Sequence, residues 1–410
     1  MFSFVRWFAA ALAIMLSLMA QPVFALYEWS NDVTQGEIQG LVRVYGAAFQ
    51  PVNINGEDDD PIAGLAGIAR LMTKAHAGKP WSLNFNAYQT YIPTDLSSPQ
   101  QSSTALDVER SSALEWSFSD DELVRLAIDH LNLRWSHERW DIIAGRQPIN
   151  LATTYYFSPN DFFAPFSAQQ FFRIYKPGVD AVRAEYRLAE LTQLSLISVL
   201  GYQTDADSDT GWSRSANGER TSYIGRLSTV WRDTEWTVLL GRVKENEVIG
   251  ASLQGELFDW LGLRSEGHFG RTMDEDEDFA ALSVGFEHRW ENSLHGKLEY
   301  FYNSLGAGET TDYLAPGAGL MTTSYLARNY VAAGASYQIS PLLLGDALWL
   351  HNITDSSNLA LINAIYSLSD ESELALSIAW PLGEAPEQGQ LQSEFGTYPR
   401  AAFLEWRGFF

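Results

Sequence analysis

The chain has 410 residues, a net charge of −24 at neutral pH, 13% aromatic residues and no cysteine. So acidic a balance does not suit nucleic-acid binding, and disulfide stapling is excluded. Beyond residue 25 the apolar stretches are broken every few residues by Arg, Asp, Glu, Asn or Gly. That leaves a soluble exported protein, or a barrel whose strands show lipid only every second residue.

Residues 1–25 read as an export signal, with Arg6 as the positive region, Trp7 to Leu18 as a short apolar region and Val23-Phe24-Ala25 as the cleavage site. Residues 26–410 form the expected mature chain, a single domain. Strands are expected at Gln35 to Ala47 and Trp81 to Tyr91, and residues 63–76 suit a strand or a short helix. Trp81, Leu83, Phe85 and Ala87 alternate with Ser82, Asn84 and Asn86. The same period of two recurs in Val182/Ala184/Tyr186/Leu188 against Arg183/Glu185/Arg187, and in Leu263/Ser265/Gly267/Phe269 against Arg264/Glu266/His268. Leu374/Leu376/Ile378/Trp380 face away from Ala375/Ser377/Ala379.

A soluble sandwich alternates too. Aromatic residues at the ends of the apolar faces favour a membrane barrel, among them Trp135, Trp140, Tyr202, Trp231, Trp236, Trp290, Tyr302, Trp380 and Trp406. So does the switching between tight turns (Arg232 to Glu235, Glu291 to Ser293, Ser369 to Ser372) and longer polar loops at 204–218, 273–278, 305–326 and 383–398. Sixteen strands fit between about residue 105 and Phe410, and the N-terminal part adds at least two. The expected fold is all-β: a transmembrane antiparallel up-and-down β-barrel of about 18 strands, with 16 and 20 as alternatives. The last strand places Leu404, Trp406, Gly408 and Phe410 on the lipid face. This resembles the signal read by the outer-membrane barrel assembly machinery.

The inward positions carry both signs: Arg43, Arg134, Arg183, Glu185, Arg187, Glu256, Arg264, Glu266, Glu287, Arg289, Lys297 and Glu299. Such a lumen is either a water-filled channel with local fields or one partly zipped shut by its own ion pairs. Residues 152–176 are the unusual connection. Tyr155, Tyr156, Phe157, Phe162, Phe163, Phe166, Phe171, Phe172 and Tyr175 crowd around Pro159, Asp161 and Pro165. So many aromatics should leave water. The loop is therefore expected to fold inward, with Tyr155, Tyr156, Asp161, Phe162, Phe163, Phe166 and Arg173 at the constriction. Capping of the mouth is the alternative.

Around this loop Gly145-Arg146-Gln147, Ser158-Pro159-Asn160-Asp161-Phe162-Phe163-Ala164-Pro165 and Arg173-Ile174-Tyr175-Lys176-Pro177-Gly178-Val179-Asp180-Ala181 follow one another. The pattern resembles that of large, poorly characterised porin-like outer-membrane proteins. The chain departs from it where Ile149-Asn150-Leu151 replaces a Trp-Gly pair and Ile174 replaces an acid. The resemblance implies a porin-like barrel and names no substrate.

Acidic clusters at Glu57 to Asp60, Asp205/Asp207/Asp209 and Asp274 to Asp278 read as solvated loops, open to bridging with lipopolysaccharide through divalent ions. The Asp-x-Asp-x-Asp run begins like a calcium loop, but Thr210 stands at the Gly position and Ala216 at the final Glu. The seven histidines show no metal-ligand spacing, and no nucleophile, nucleotide or haem motif is present. No metal, cofactor or catalysis is therefore expected. The expected function is passive diffusion of small polar solutes across a Gram-negative outer membrane. A barrel sheathing a multihaem cytochrome is the second reading.

Overall fold

Alternation with period two favours strands that bury one face and expose the other, and it governs almost the whole chain. The computed structural model describes residues 26–31, 33–52, 60–93, 96, 108–118, 122–169, 174–273, 277–313 and 325–410. In chain order its strands are β1 (Tyr27–Ser30), β2 (Thr34–Gln50), β3 (Ile62–Ala77), β4 (Trp81–Pro93), β5 (Glu115–Ser117), β6 (Glu122–His137) and β7 (Trp140–Gln147). Then come β8 (Val179–Ala189), β9 (Thr192–Thr204), β10 (Trp212–Trp231), β11 (Thr234–Val243), β12 (Asn246–Leu257), β13 (Leu261–Thr272) and β14 (Asp278–Arg289). The set ends with β15 (His295–Asn303), β16 (Asn329–Ser340), β17 (Leu343–Asn352), β18 (Asn358–Ser369), β19 (Ser372–Leu382) and β20 (Arg400–Phe409).

Successive long strands pair antiparallel, β4 passes directly to β6, and β20 returns to β2 in a register running from Leu41–Phe409 to Gln50–Arg400. The ring is closed, each wall strand pairing with a neighbour on either side. The short β1 and β5 pair only with β2 and β6, so the wall has 18 strands. The expected total is met by a different division. Residues 62–77 form a full strand, and fifteen wall strands follow the start of β6 where sixteen were expected from about residue 105. The export signal (1–25) lies outside the described residues, as do 57–59 and 274–276 of the acidic clusters.

One rim carries tight turns and the other long loops. On the turn rim Arg232 and Asp233 both take positive φ (51° and 61°), as do Phe258 and Asp259 (59° and 61°). That geometry matches the right-handed twist of the flanking strands. On the loop rim long connections leave after β2, β4, β7, β15 and β19. The outward positions are apolar and exposed, among them Leu83, Leu133, Val182, Leu196, Leu240, Phe269, Leu298 and Leu376. Trp81, Trp140, Trp231, Trp236 and Trp290 gather near the turn rim, as an interfacial belt requires. Tyr202 and Trp406, expected in the belts, are buried instead.

Two places in the wall are completed by short strands. β20 ends against Leu41, Phe410 exchanges two backbone hydrogen bonds with Gly40 (2.8 and 2.9 Å), and β1 then continues the ladder from Ile38 to Gln35. The other place lies beside β6. β7 leaves the wall at Gln147 and β8 rejoins it at Val179, while β6 runs on to Glu122 and β9 to Thr204. Residues 108–117 fill the opening, with Glu115, Trp116 and Ser117 paired to Ala127, Leu126 and Arg125.

Candidate functional site: a loop folded into the lumen

The loop between β7 and β8 is built on a rigid stem. Arg146 and Asp180 are register partners, and the guanidinium donates to both carboxylate oxygens at 2.8 and 3.0 Å. Arg146 also donates to the carbonyls of Ser111 (2.7 Å) and Ile128 (3.1 Å), so a buried cation has every side occupied. Gln147 donates to the carbonyls of Ile143 (3.1 Å) and Ala181 (3.0 Å). Gly145 takes φ +115°, which β-branched or bulky residues avoid, and a Cβ on Gly178 would collide with the Asp129 carbonyl. The first and third segments of the sequence pattern are thus the exit and return of one loop.

The loop then crosses to the opposite wall and is held by two strand carboxylates. Glu266 of β13 accepts the backbone N–H of Thr153, of Thr154 (3.3 Å) and of Asn160 (3.2 Å). Glu299 of β15 accepts those of Tyr155 (2.9 Å), Tyr156 (3.2 Å) and Phe157 (2.6 Å), with the Ser283 hydroxyl at 3.0 Å. Successive N–H groups pointing one way make a small anion cradle, and here the protein supplies the anion. Asn160 adds a bond from its side chain to the Ala251 carbonyl (3.1 Å) and another with His268 (3.2 Å).

Apolar packing completes the anchorage. Ile149, Leu151, Phe162, Phe163 and Ala164 join the inward-facing Ile197, Val199, Ile224, Leu239 and Val248 in one buried cluster. Phe157 and Ala168 join a second with Phe301, Tyr330, Leu348, Leu350 and the loop residue Phe395. Phe157 stacks on Phe301 at 4.9 Å between ring centres. Tyr156 lies over Gly334 of β16, where any Cβ would meet its phenol. Above it Glu394, from the loop after β19, accepts from the Tyr330 hydroxyl, from Asn352 (2.8 Å) and from the backbone N–H of Leu326 (3.3 Å). Its own N–H donates to Asp355 at 2.7 Å. Burial pushes the Glu394 carboxyl up to about 8, despite those donors.

No family model matches the chain, and no curated protein matches it. Solved structures do. Pseudomonas aeruginosa OccK9 (OpdG) superposes with a TM-score of 0.59 at 10% identity, over 91% of this chain and 98% of that one. P. aeruginosa OccK2 (OpdF), crystallised with glucuronate, gives 0.57 at 10% over 91% and 97%. A BenF-like porin from Pseudomonas fluorescens Pf-5 gives 0.57 at 10% over 92% and 98%. The fold is that of an outer-membrane porin.

Within this barrel the expected site residues separate into three groups. Tyr155 is half-buried and carries the exposed chemistry. Arg264 and Lys297 lie over its ring, each at 4.4 Å, and its hydroxyl donates to Glu287. Phe162 and Phe163 are buried against the wall, and Phe166 lies under Lys176 at 5.7 Å. Asp161 was expected at the aperture. It is only 2% exposed and pairs with Lys176, so its charge is neutralised inside the loop. Arg173, Phe171 and Phe172 lie outside the described residues.

The expected lumen charges also divide. Glu266 and Glu299, 1% exposed each, are covered by the loop and present no open charge. Arg264 and His295 hold Glu287 at 3.0 and 2.7 Å, and Arg289 bonds His295 at 3.3 Å. Arg43 pairs with Glu405, Arg134 with Asp141 (2.8 Å), and Arg183 stands 3.5 Å from Glu185. Arg187 and Glu256 are exposed near the turn rim. These pairs lie within one strand or join neighbouring strands. Among the described residues no group of His, Cys, Asp and Glu forms a metal site.

Sequence reasoning missed the segment around Arg110. Its guanidinium bonds Asp129 (2.8 Å) and Glu115 (2.5 Å), and Asp129 also binds Arg70 at 2.8 Å. Alternation gives no sign of a segment that reaches the wall only through side chains and three ladder residues. The inward apolar residues did leave a signal: Leu196-Ile197, Val199-Leu200, Val238-Leu239-Leu240 and Leu348-Trp349-Leu350 are apolar on both faces. A strand with two apolar faces needs a covering on each.

Proposed function

We propose that this chain is a porin-like channel of a Gram-negative outer membrane, passing small polar solutes by diffusion past the inward loop. The supporting observation is the anchorage of residues 153–160 by Glu266 and Glu299 on the far wall. A loop tied across the lumen narrows it, and a narrowing lined by polar side chains sets what passes. The Tyr155 face, with Arg264, Lys297 and Glu287, then lines the passage, while Phe162 and Phe163 pack the loop against the wall. The short-turn rim faces the periplasm and the long-loop rim the lipopolysaccharide. OccK2 was crystallised with glucuronate, a small polar acid, which supports that class of solute here. Trp406, Gly408 and Phe410 would carry the signal for the assembly machinery.

Planar-bilayer recording of the purified chain tests this. The wild type should conduct, and replacing residues 152–169 by a short Gly-Ser linker should raise single-channel conductance. A barrel that conducts nothing and co-purifies with a multihaem cytochrome would favour the sheath instead.

A further inference from the structure

Below the anchored loop, the inward faces of β14 and β15 meet in register at three levels: Gly285 opposite Glu299, Glu287 opposite Lys297, and Arg289 opposite His295. The first level holds the loop and the second faces Tyr155. The third lies two residues nearer the turn rim, roughly 7 Å along the strand. There Arg289 is exposed, whereas His295 is buried. His295 joins the second level to the third. Its Nε2 lies 2.7 Å from the Glu287 carboxylate and its Nδ1 lies 3.3 Å from the Arg289 guanidinium.

These two contacts place the proton on the ring. A guanidinium only donates, so Nδ1 accepts from Arg289. The neutral imidazole then carries its single proton on Nε2 and donates it to Glu287. Glu287 also accepts from the Tyr155 hydroxyl and from Arg264 at 3.0 Å. Arg289 has no carboxylate within ion-pair distance among the described residues; its side chain bonds only this uncharged ring. The groups around His295 are Glu287 and Arg289 of β14, Lys297 of β15 and the Tyr155 ring at 6.1 Å. On β16 its register partner is Ser336, with Asp346 of β17 opposite that residue. Arg264 of β13 reaches the set through Glu287.

We propose that Arg289 sets the ion preference of the passage on the turn-rim side of the loop, and that His295 decides whether Arg289 is available. With the ring neutral, Arg289 is parked against the wall. A second proton, at Nδ1, turns the acceptor into a donor facing a donor and sets two positive charges against each other. Glu287 still holds the charged ring from the other side, so the guanidinium is the group that leaves. The lumen then gains one cation on the ring and one released from it, close to a narrowing where little water screens them. Acidification should therefore move the channel toward anions. The inference rests on the channel reading and adds to it a proton-dependent specificity.

The test uses the full chain in planar bilayers and in liposomes. Reversal potentials in a potassium chloride gradient give the chloride-to-potassium permeability ratio. In wild type that ratio should rise about twofold between about pH 7.5 and about pH 5, where exposed carboxylates stay mostly ionised and histidine takes its proton. His295→Gln offers a donor toward Glu287 and an acceptor toward Arg289 but takes no proton, so its ratio should not change with pH. Arg289→Gln should shrink the rise. Solid-state nitrogen spectra of histidine-labelled chain follow the ring directly, the His295 signals being those absent from His295→Gln. They should show a proton on Nε2 alone at about pH 7.5 and on both nitrogens at about pH 5. Heat-modifiable migration establishes that each variant is folded. A rise that persists in His295→Gln, or a ring still neutral at about pH 5, would overturn the switch. A rise lost instead in His268→Gln would place the titration in the loop anchorage, where His268 bonds Asn160. Absence of any conductance would refute the channel reading, and the spectra would still decide the state of the ring.

Discussion

Glu299 illustrates how a side chain's role differs from its facing. Its position on the inward face follows from alternation alone, but its partners lie 142 to 144 positions upstream, and no local pattern predicts them. The carboxylate accepts three consecutive N–H groups of the loop. An amide at the same place turns one acceptor into a donor facing those donors. Glu299→Gln should weaken loop docking by about 1–3 kcal/mol, the range for a buried polar group left unpaired. Amide exchange at Tyr155, Tyr156 and Phe157 should quicken and single-channel noise should rise. Unchanged exchange at these three amides would mean that apolar packing alone holds the loop. Asp161 teaches the same lesson in reverse. Its residue type suggested an aperture charge, and its burial with Lys176 assigns it to the loop interior.

At the scale of elements, strand facing was legible and loop docking was not. Leu376 points outward from β19 and Ser377 inward, where its hydroxyl bonds Asn363 at 2.8 Å. Leu376→Arg should cost about 2–4 kcal/mol near the membrane midplane, and Ser377→Arg much less. A refolding titration that finds equal losses would reject this facing. The loop after β19 carries a pH dependence. Glu394 is faced by Asp355, Tyr313, Tyr330 and Asn352, and these contacts include no cation. Its carboxyl is raised by burial from 4.5 to about 8 in the folded protein. A group raised on folding contributes fully below its unfolded value and loses that contribution as pH rises through the folded one. Docking of residues 383–399 should therefore weaken between about pH 5 and 8. Amide exchange in this loop, corrected for its intrinsic pH dependence, should show it, and Glu394→Gln should flatten the profile. A flat wild-type profile would place the folded value near 4.5 after all.

For the whole molecule, the closed barrel was legible because the period of two recurs from strand to strand and tight turns alternate with longer loops. The total of 18 was less secure, since β3 and the segment at 108–117 balance each other in the count. The contents of the lumen were hidden for a physical reason: they are set by contacts between distant parts of the chain. That remoteness has a consequence for how the protein forms. Thr153 must find Glu266 across 113 positions and Tyr155 must find Glu299 across 144, whereas each hairpin needs only its neighbour. Contacts so far apart in sequence are slow to close. The loop can dock only when β7, β8, β13 and β15 are all in place. The furnishing of the lumen should therefore appear as a late kinetic phase.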